Sequence, residues 1–187
     1  MSLLPVLQQR QAIRTYDGRP VETAKIEQLL EAAVLAPNDR LREPWHFYVI
    51  QDAAKKRFDQ LAQDFLLERF PTKPHLVEES MKNVLATPLI IVATSQIIEG
   101  DEASSLDNEY AVSCAIHSMW LMASELGLGF VWRTRGVGLA RDERLKAFLS
   151  LSDQEKVIGS LFIGYPTDGA TPRTSRIPFA QKTTWVQ

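Results

Sequence analysis

Ala36-Pro37-Asn38-Asp39-Arg40-Leu41-Arg42-Glu43-Pro44-Trp45-His46-Phe47-Tyr48-Val49-Ile50 is the stretch on which the fold turns. It opens as the end of a helix, crosses a polar loop between two prolines and closes as a strand begun on an aromatic pair. Pro37 disfavours helical geometry at Ala36, and Pro44 does the same at Glu43. The loop is therefore semi-rigid between a helix and a buried strand. Such a loop suits a flat ligand gripped by backbone groups.

Upstream, residues 2–10 read as one short helix with Leu3, Leu4, Leu7 and Gln8 on a shared face. Asp17-Gly18 signals a turn. Ile26, Leu29, Leu30, Ala33 and Val34 recur at helical spacing, with Thr23 a candidate N-cap and Pro37 the stop. Downstream, Asp52 is the candidate cap of a helix running to Arg69, striped by Phe58, Leu61, Phe65 and Leu66. Phe70 to Pro74 break it, and His75 to Leu85 read as a short helix. Leu89 to Ala93 read as a buried strand entered through Pro88. Residues 96–104 read as a polar linker. Ser104 and Ser105 then offer caps for the longest helix, residues 105–126. Tyr110, Val112, Ile116, Met119, Trp120 and Met122 surround most of that helix, so it is either central or partly covered by another subunit. Gly127 and Gly129 end it.

Phe130 to Trp132 begin a strand, Asp142 to Ser150 are amphipathic, and Val157 to Gly164 form the last strand. Residues 165–187 hold Pro166, Pro172 and Pro178 and no strong period, as expected of a tail that wraps over a surface or a neighbouring subunit. The whole chain, 1–187, reads as one domain of class α+β, loosely α/β, with helices flanking one sheet.

The 187 residues carry 45 % hydrophobic side chains and a net charge of −2. A packed core needs no staples at that composition. No strongly basic face marks a nucleic-acid partner. No apolar run approaches a membrane span, and the N-terminus lacks the basic start of a secretory signal. A single cysteine, Cys114, excludes an internal disulfide and fits a reducing compartment. The expected location is cytoplasmic.

Chemistry-bearing residues are few. His46, His75 and His117 are far apart and no thiolate cluster exists, so no metal site is expected. Cys114 sits in an apolar helix without a basic neighbour and reads as a small core residue. Gly136-Val137-Gly138 lacks the third glycine of a dinucleotide loop and reads as a turn. The arginines say more. Arg10 and Arg14 would share one face of a helical turn. Arg133 and Arg135 alternate along an extended segment, and Arg173 and Arg176 lie in the tail. Each pair alone is an ordinary solvated face. Three pairs beside bends can clamp a phosphate and hydrogen-bond a polar aromatic ring, because the guanidinium donates two bonds in one plane.

Three stretches together resemble the FMN-dependent nitroreductase family, in particular its compact bacterial "minimal" subgroup. Arg10-Gln11-Ala12-Ile13-Arg14 resembles that family's Arg-Arg-Ser-x-Arg. Ala36 to Trp45 resembles Ala-Pro-Ser-x-x-x-x-Gln-Pro-Trp. Gly129-Phe130-Val131-Trp132-Arg133-Thr134 resembles Gly-x-x-Trp-Arg-Ser. The spacing between them and the Ile163-Gly164-Tyr165-Pro166 ending also match, so the resemblance covers nearly the whole chain.

The resemblance implies an intertwined homodimer, a central mixed sheet flanked by helices, and FMN at the subunit interface built from both chains. Residues 166–187 would pack on the partner. Arg10, Gln11 and Ala12 would contact the ribityl chain and phosphate, joined by Arg14. Leu35, through its backbone, and Asp39 would approach from the opening loop. Trp132, Arg133 and Thr134 would lie along the isoalloxazine ring. Arg173 and Arg176, placed by their chemistry, would complete the phosphate clamp. Met122, Ala123, Ser124, Glu125, Leu126 and Gly127 correspond to a stretch tied to nicotinamide dinucleotide binding in relatives.

The implied activity is an oxidoreductase using NADH or NADPH as co-substrate. Hydride would pass to FMN and then to a nitroaromatic, quinone or similar acceptor in a ping-pong scheme, with no catalytic side chain required because the cofactor carries the chemistry. Dehalogenation, flavin fragmentation, azoline oxidation or non-catalytic flavin binding are the alternatives on this scaffold. Gln11 and Ala12 stand where the pattern has Arg and Ser, Glu43 stands where it has Gln, and Leu41 occupies a position often polar.

Overall fold

The computed structural model describes residues 3–167 and 175–186. Four strands, β1 (Trp45–Ile50), β2 (Leu89–Gln96), β3 (Gly129–Arg133) and β4 (Glu155–Gly164), form one sheet in the order β1-β2-β4-β3. Every pairing between these strands is antiparallel. The α+β class expected from the sequence is therefore found, but the sheet among the described residues is antiparallel rather than mixed. The reason is where β4 goes. β2 and β3 point the same way, joined by a helical crossover, but β4 inserts between them and runs against both. β1 and β3 are left as the two edges.

The helices cover both faces of the sheet. On one face, α2 (Thr23–Val34) and α5 (Glu102–Glu125) pack over Leu89, Ile91, Ala93, Phe130, Leu161 and Ile163. On the other, α3 (Asp52–Arg69), α4 (Pro74–Ala86) and α6 (Glu143–Leu149) cover Ile90, Val92, Val131 and Phe162. Covering both faces explains why β2 is buried from Leu89 to Ser95 without a polar alternation. A short α1 (Leu3–Gln9) buries none of its residues.

Several boundaries differ from the sequence reading. Thr23 is the first helical residue of α2, because Glu22 takes the cap position, without a side-chain cap bond. Asp52 likewise lies inside α3, with Gln51 at the cap position. α5 starts three residues early because the Asp101 carboxylate accepts the Ser104 N–H at 2.9 Å, supplying the cap expected of the serines. Ser105 instead turns its hydroxyl to the linker, accepting from Ile98 N at 2.8 Å.

α5 is the central helix, as its composition suggested, yet only one of its faces is buried. Ala111, Val112, Ala115, Ile116, Met119 and Ala123 meet the sheet, while Tyr110 is exposed. Cys114 is exposed too, not a core residue. At about 100° per residue it lies on the flank opposite the Val112–Ile116 stripe. Among the described residues no group of three His, Cys, Asp or Glu could hold a metal, and no helix is long and apolar enough to cross a membrane.

α6 offers a local test of these caps. Asp142 accepts the Arg144 N–H at 3.0 Å and its Nε at 2.8 Å, and those Arg144 side-chain bonds hold its carboxyl below the usual aspartate range. A carboxyl depressed in the folded state stabilises above its unfolded value and loses that contribution as pH falls through the folded value. Asp142→Ala is expected to cost about 1 kcal/mol at pH 7, and the gap from the parent to close below about pH 4. Urea unfolding of both proteins at pH 7 and pH 3 checks it; a gap equal at both values would contradict the assignment.

Candidate functional site

The first and third resemblance stretches meet at the β3 edge. α1 ends at Gln9, residues 10–15 form neither helix nor strand, and the Ile13 N–H bonds Phe130 O of β3 at 3.1 Å. Gly129 is what lets the segment come this close: a Cβ there would press into the Ile13 side chain. Tyr16 locks the far end. Its buried hydroxyl lies 2.7 Å from both Ile13 O and Phe162 O, and burial raises its pKa well above the usual tyrosine value. The helical turn expected to align Arg10 with Arg14 is absent, since β3 supplies the segment's hydrogen bond instead.

Arg10 stacks over the Trp120 ring of α5 at 4.3 Å. Trp120 lies nearly flat on Phe130 at 5.1 Å and donates its indole N–H to Gln11 O at 3.3 Å. Burial lowers the Arg10 pKa, and the charge of Arg176 lowers it further. Arg176 thus comes from the tail to within electrostatic reach of Arg10. Arg173 falls outside the described residues.

Arg133 ends β3 on the opposite face, its guanidinium over Phe162 at 4.9 Å. Burial is the main cause lowering its pKa; Tyr16 opposes that effect and Arg14 adds to it. Its Nε is buried with no hydrogen-bond partner among the described residues. Buried donors are nearly always satisfied, so this one is left for an acceptor that the described residues do not supply. Among the described residues, Arg10, Arg14, Arg133 and Arg176 make no ion pair, although nine other basic side chains do. Arg10 with Arg176, and Arg133 with Arg14, are close enough to repel one another, and an incoming anion would relieve that repulsion.

Trp132 is placed differently. Its indole turns inward, donates to Ile158 O at 3.2 Å and occupies the space a side chain at residue 159 would need. Ala12 packs beside the core of the α3–α4 face. Thr134 is exposed and walls a cavity of about 400 Å³ that also touches Ile97, Arg141, Ser152, Lys156 and Ile158.

Leu35 and Asp39 are elsewhere. Leu35 is exposed at the end of α2. Asp39 pairs with Arg42 at 3.0 Å, and Arg42 reaches Ser104 and Asn108 at the start of α5. Asn108 and Trp120 are about 18 Å apart along the helix, and β1 and β3 are about 14 Å apart across the sheet. One chain therefore does not bring its opening loop to its own arginines. Met122 to Gly127 form the end of α5: Ala123 is fully buried, and Gly127 takes φ 69° so that Leu128 N can reach Ala123 O at 2.8 Å. That is a helix C-cap, with Glu125 and Gly127 exposed.

Sequence reading gave Tyr16 no role and read Trp120 only as an apolar residue of the long helix, yet both hold the arginine segment in place. The signal lay only in their aromatic type beside Arg14 and within α5.

Comparison with known proteins identifies the family and the fold. The family model described as "Nitroreductase family" matches residues 7–165. A Bacillus subtilis protein named "Putative NAD(P)H nitroreductase YfhC" is 30 % identical over 97 % of this chain and 93 % of its own. The crystal structure of a nitroreductase-like family protein from Bacillus cereus superposes with a TM-score of 0.86 at 24 % identity, covering 100 % of this chain and 96 % of that one. A nitroreductase with bound FMN from Bacteroides fragilis superposes at 0.76 and 20 % identity over 100 % of both chains. With its model matched from before Arg10 to Tyr165 and its fold reproduced end to end, the chain belongs to the nitroreductase family.

Proposed function

We propose that this oxidoreductase-family chain is an FMN-dependent enzyme that takes NADH or NADPH as reductant and a nitroaromatic, quinone or similar small molecule as acceptor. One observation carries the reading: among the described residues, arginines without an ion-pair partner gather at the β3 edge, one of them with a buried Nε that has no acceptor there. A flavin mononucleotide offers a phosphate and a ring rim rich in acceptors, and so fits that donor set. When bound, FMN supplies the two-electron carrier between reductant and acceptor in ping-pong order.

The chain's own residues would do the rest. Arg10 and Arg176 would hold the phosphate, with Arg173 and the Gln11–Ala12 backbone beside them. Arg14 would add charge. Arg133 would meet the polar rim of the ring and hold negative charge there. The inward-turned Trp132 would keep the Arg133–Thr134 backbone rigid, and the cavity beside Thr134 has room for a small acceptor. Met122 to Gly127 are retained as the nicotinamide-proximal stretch, acting through the exposed Glu125 and Gly127.

The site is completed by a second copy. Leu35 and Asp39 would come from the partner, because one chain keeps them across the sheet from its arginines. Apolar side chains left exposed on α1 and the tail, including Leu3, Leu4, Phe179 and Trp185, favour a homodimer in which residues 166–187 pack on the partner. The expected setting is cytoplasmic. The protein, purified with added FMN and desalted, is expected to keep flavin absorbance, lose it on anaerobic NAD(P)H addition and regain it with nitrofurazone. A protein that stays colourless with excess FMN refutes the reading. One that binds FMN but is not reoxidised supports flavin binding without turnover.

A further inference from the structure

Arg141 differs from the other basic residues around the cavity beside Thr134. Lys156 pairs with Glu109 at 2.6 Å, and Lys146 pairs with Glu143 at 2.9 Å. Arg144, three positions further on, is held by Asp142 at 2.8 Å and by Glu68 at 2.9 Å. Arg141 is exposed, walls the cavity and, among the described residues, makes no ion pair and no side-chain hydrogen bond. Its neighbours in charge hold the fold together; its own guanidinium is available to an anion from solution.

The backbone that presents Arg141 is held in a costly shape. Leu139, two residues before it, takes φ 54°, where a Cβ crowds the backbone and leucine is disfavoured. The surroundings impose that conformation. Leu139 is buried, its N–H bonds Gly136 O at 2.9 Å and its carbonyl accepts the Asp142 N–H at 2.9 Å. Next to it, Gly138 O accepts the Ser160 hydroxyl of β4 at 2.5 Å. A further wall, Leu151 to Asp153, is entered through Ser150 at φ 53°. Strain that the surroundings over-determine is found where a fold presents groups to a ligand.

At about 400 Å³ the cavity has the size of a small-molecule site. Half-buried Ile97, Leu151, Val157 and Ile158 give it an apolar surface. Two of its carboxylates are engaged: Glu109 by Lys156, and Glu155 by the hydroxyls of Tyr48 at 2.8 Å and Thr94 at 2.9 Å. Asp153 is exposed and has no ion pair among the described residues, so it opposes a second negative charge in the same space. An apolar surface and one uncommitted guanidinium match an aromatic ring bearing a single carboxylate, which the guanidinium holds through two parallel N–H bonds. We propose that Arg141 is a specificity-determining residue for the acceptor, and that this cavity takes nitroaromatic or quinone monocarboxylates. The inference rests on the reading that Thr134 lies along the flavin ring, which brings the cavity to the reducing centre. For a nitrobenzoate, NAD(P)H and one proton are consumed and the nitro group takes two electrons to become nitroso. One N–O bond breaks, its oxygen leaves as water, and the carboxylate is unchanged.

Arg141→Gln and Arg141→Lys test it in the full-length, FMN-loaded protein. The ratio of kcat/KM for para-nitrobenzoate to that for para-nitrobenzyl alcohol is expected to fall about tenfold in the Gln variant, as for loss of one charge-assisted bond near the surface. The fall is expected mainly in the KM for para-nitrobenzoate. The Lys variant keeps the charge without the fork and is expected to lie between the two. Added salt is expected to lower the ratio more in the parent than in the Gln variant. An unchanged ratio in the Gln variant overturns the proposal. Benzoate, which has no nitro group, gives a readout apart from turnover: it is expected to raise the melting temperature of the parent more than that of the Gln variant. Equal shifts, or none in either protein, overturn the assignment of the cavity. A parent that binds no FMN, or reduces neither acceptor, overturns the flavin reading instead, and the benzoate shifts still decide the role of Arg141.

Discussion

Arg10→Ala is expected to weaken FMN binding by roughly one to two orders of magnitude, equivalent to the loss of a charged hydrogen bond of about 1.5–3 kcal/mol. Arg10 has no carboxylate partner among the described residues, so its removal leaves no opposing charge stranded. Its guanidinium sits on Trp120 and feels the like charge of Arg176. Both features raise the benefit of an incoming anion. Arg10→Lys keeps the charge but loses the planar fork and much of the stacking, and is expected to fall between parent and Ala variant. Quenching of FMN fluorescence in a titration at fixed salt reads the effect. Equal affinity in all three proteins would remove Arg10 from the phosphate site. The melting temperature of the apo-protein is expected to move little, because the Arg10 side chain is only partly buried.

Phe162→Ala carries the largest expected loss of stability. Phe162 is fully buried in central strand β4, edge-on to the equally buried Phe58 at 6.0 Å. Truncation there should cost about 3–5 kcal/mol, a fall in Tm of roughly 6–20 °C for a chain of this size. The substitution also reaches the site, since the Arg133 guanidinium rests on this ring and the Tyr16 hydroxyl meets the Phe162 carbonyl. FMN affinity is therefore expected to fall at temperatures where the variant is still folded. Phe162→Leu, which keeps most of the volume, is expected to lose less stability yet still lose the ring under Arg133. Calorimetry with a parallel flavin titration separates the two effects. A Leu variant with parent-like flavin affinity would mean that the ring does not support Arg133.

The elements and the family were legible in the chain itself. Ile26, Leu29 and Ala33 at helical spacing, Pro37 and Pro44 around the loop, and the unbroken apolar run from Leu89 are local signals, and local signals set local conformation. The motif order from Arg10 to Thr134 placed the chain in its family for the same reason: each motif is contiguous. Tertiary structure decided what depends on neighbours distant in sequence. The insertion of β4 between β2 and β3 made the sheet antiparallel and set β1 and β3 at opposite edges. That one step separates Asp39 from Arg133 within the chain. Packing decided the side chains as well. Trp132 turned inward over Gly159, Cys114 turned outward on α5, and Arg10 and Arg14 lie on a non-helical segment bonded to β3. None of these follows from residue type or spacing, because each is fixed by which surface remains open once the sheet is assembled.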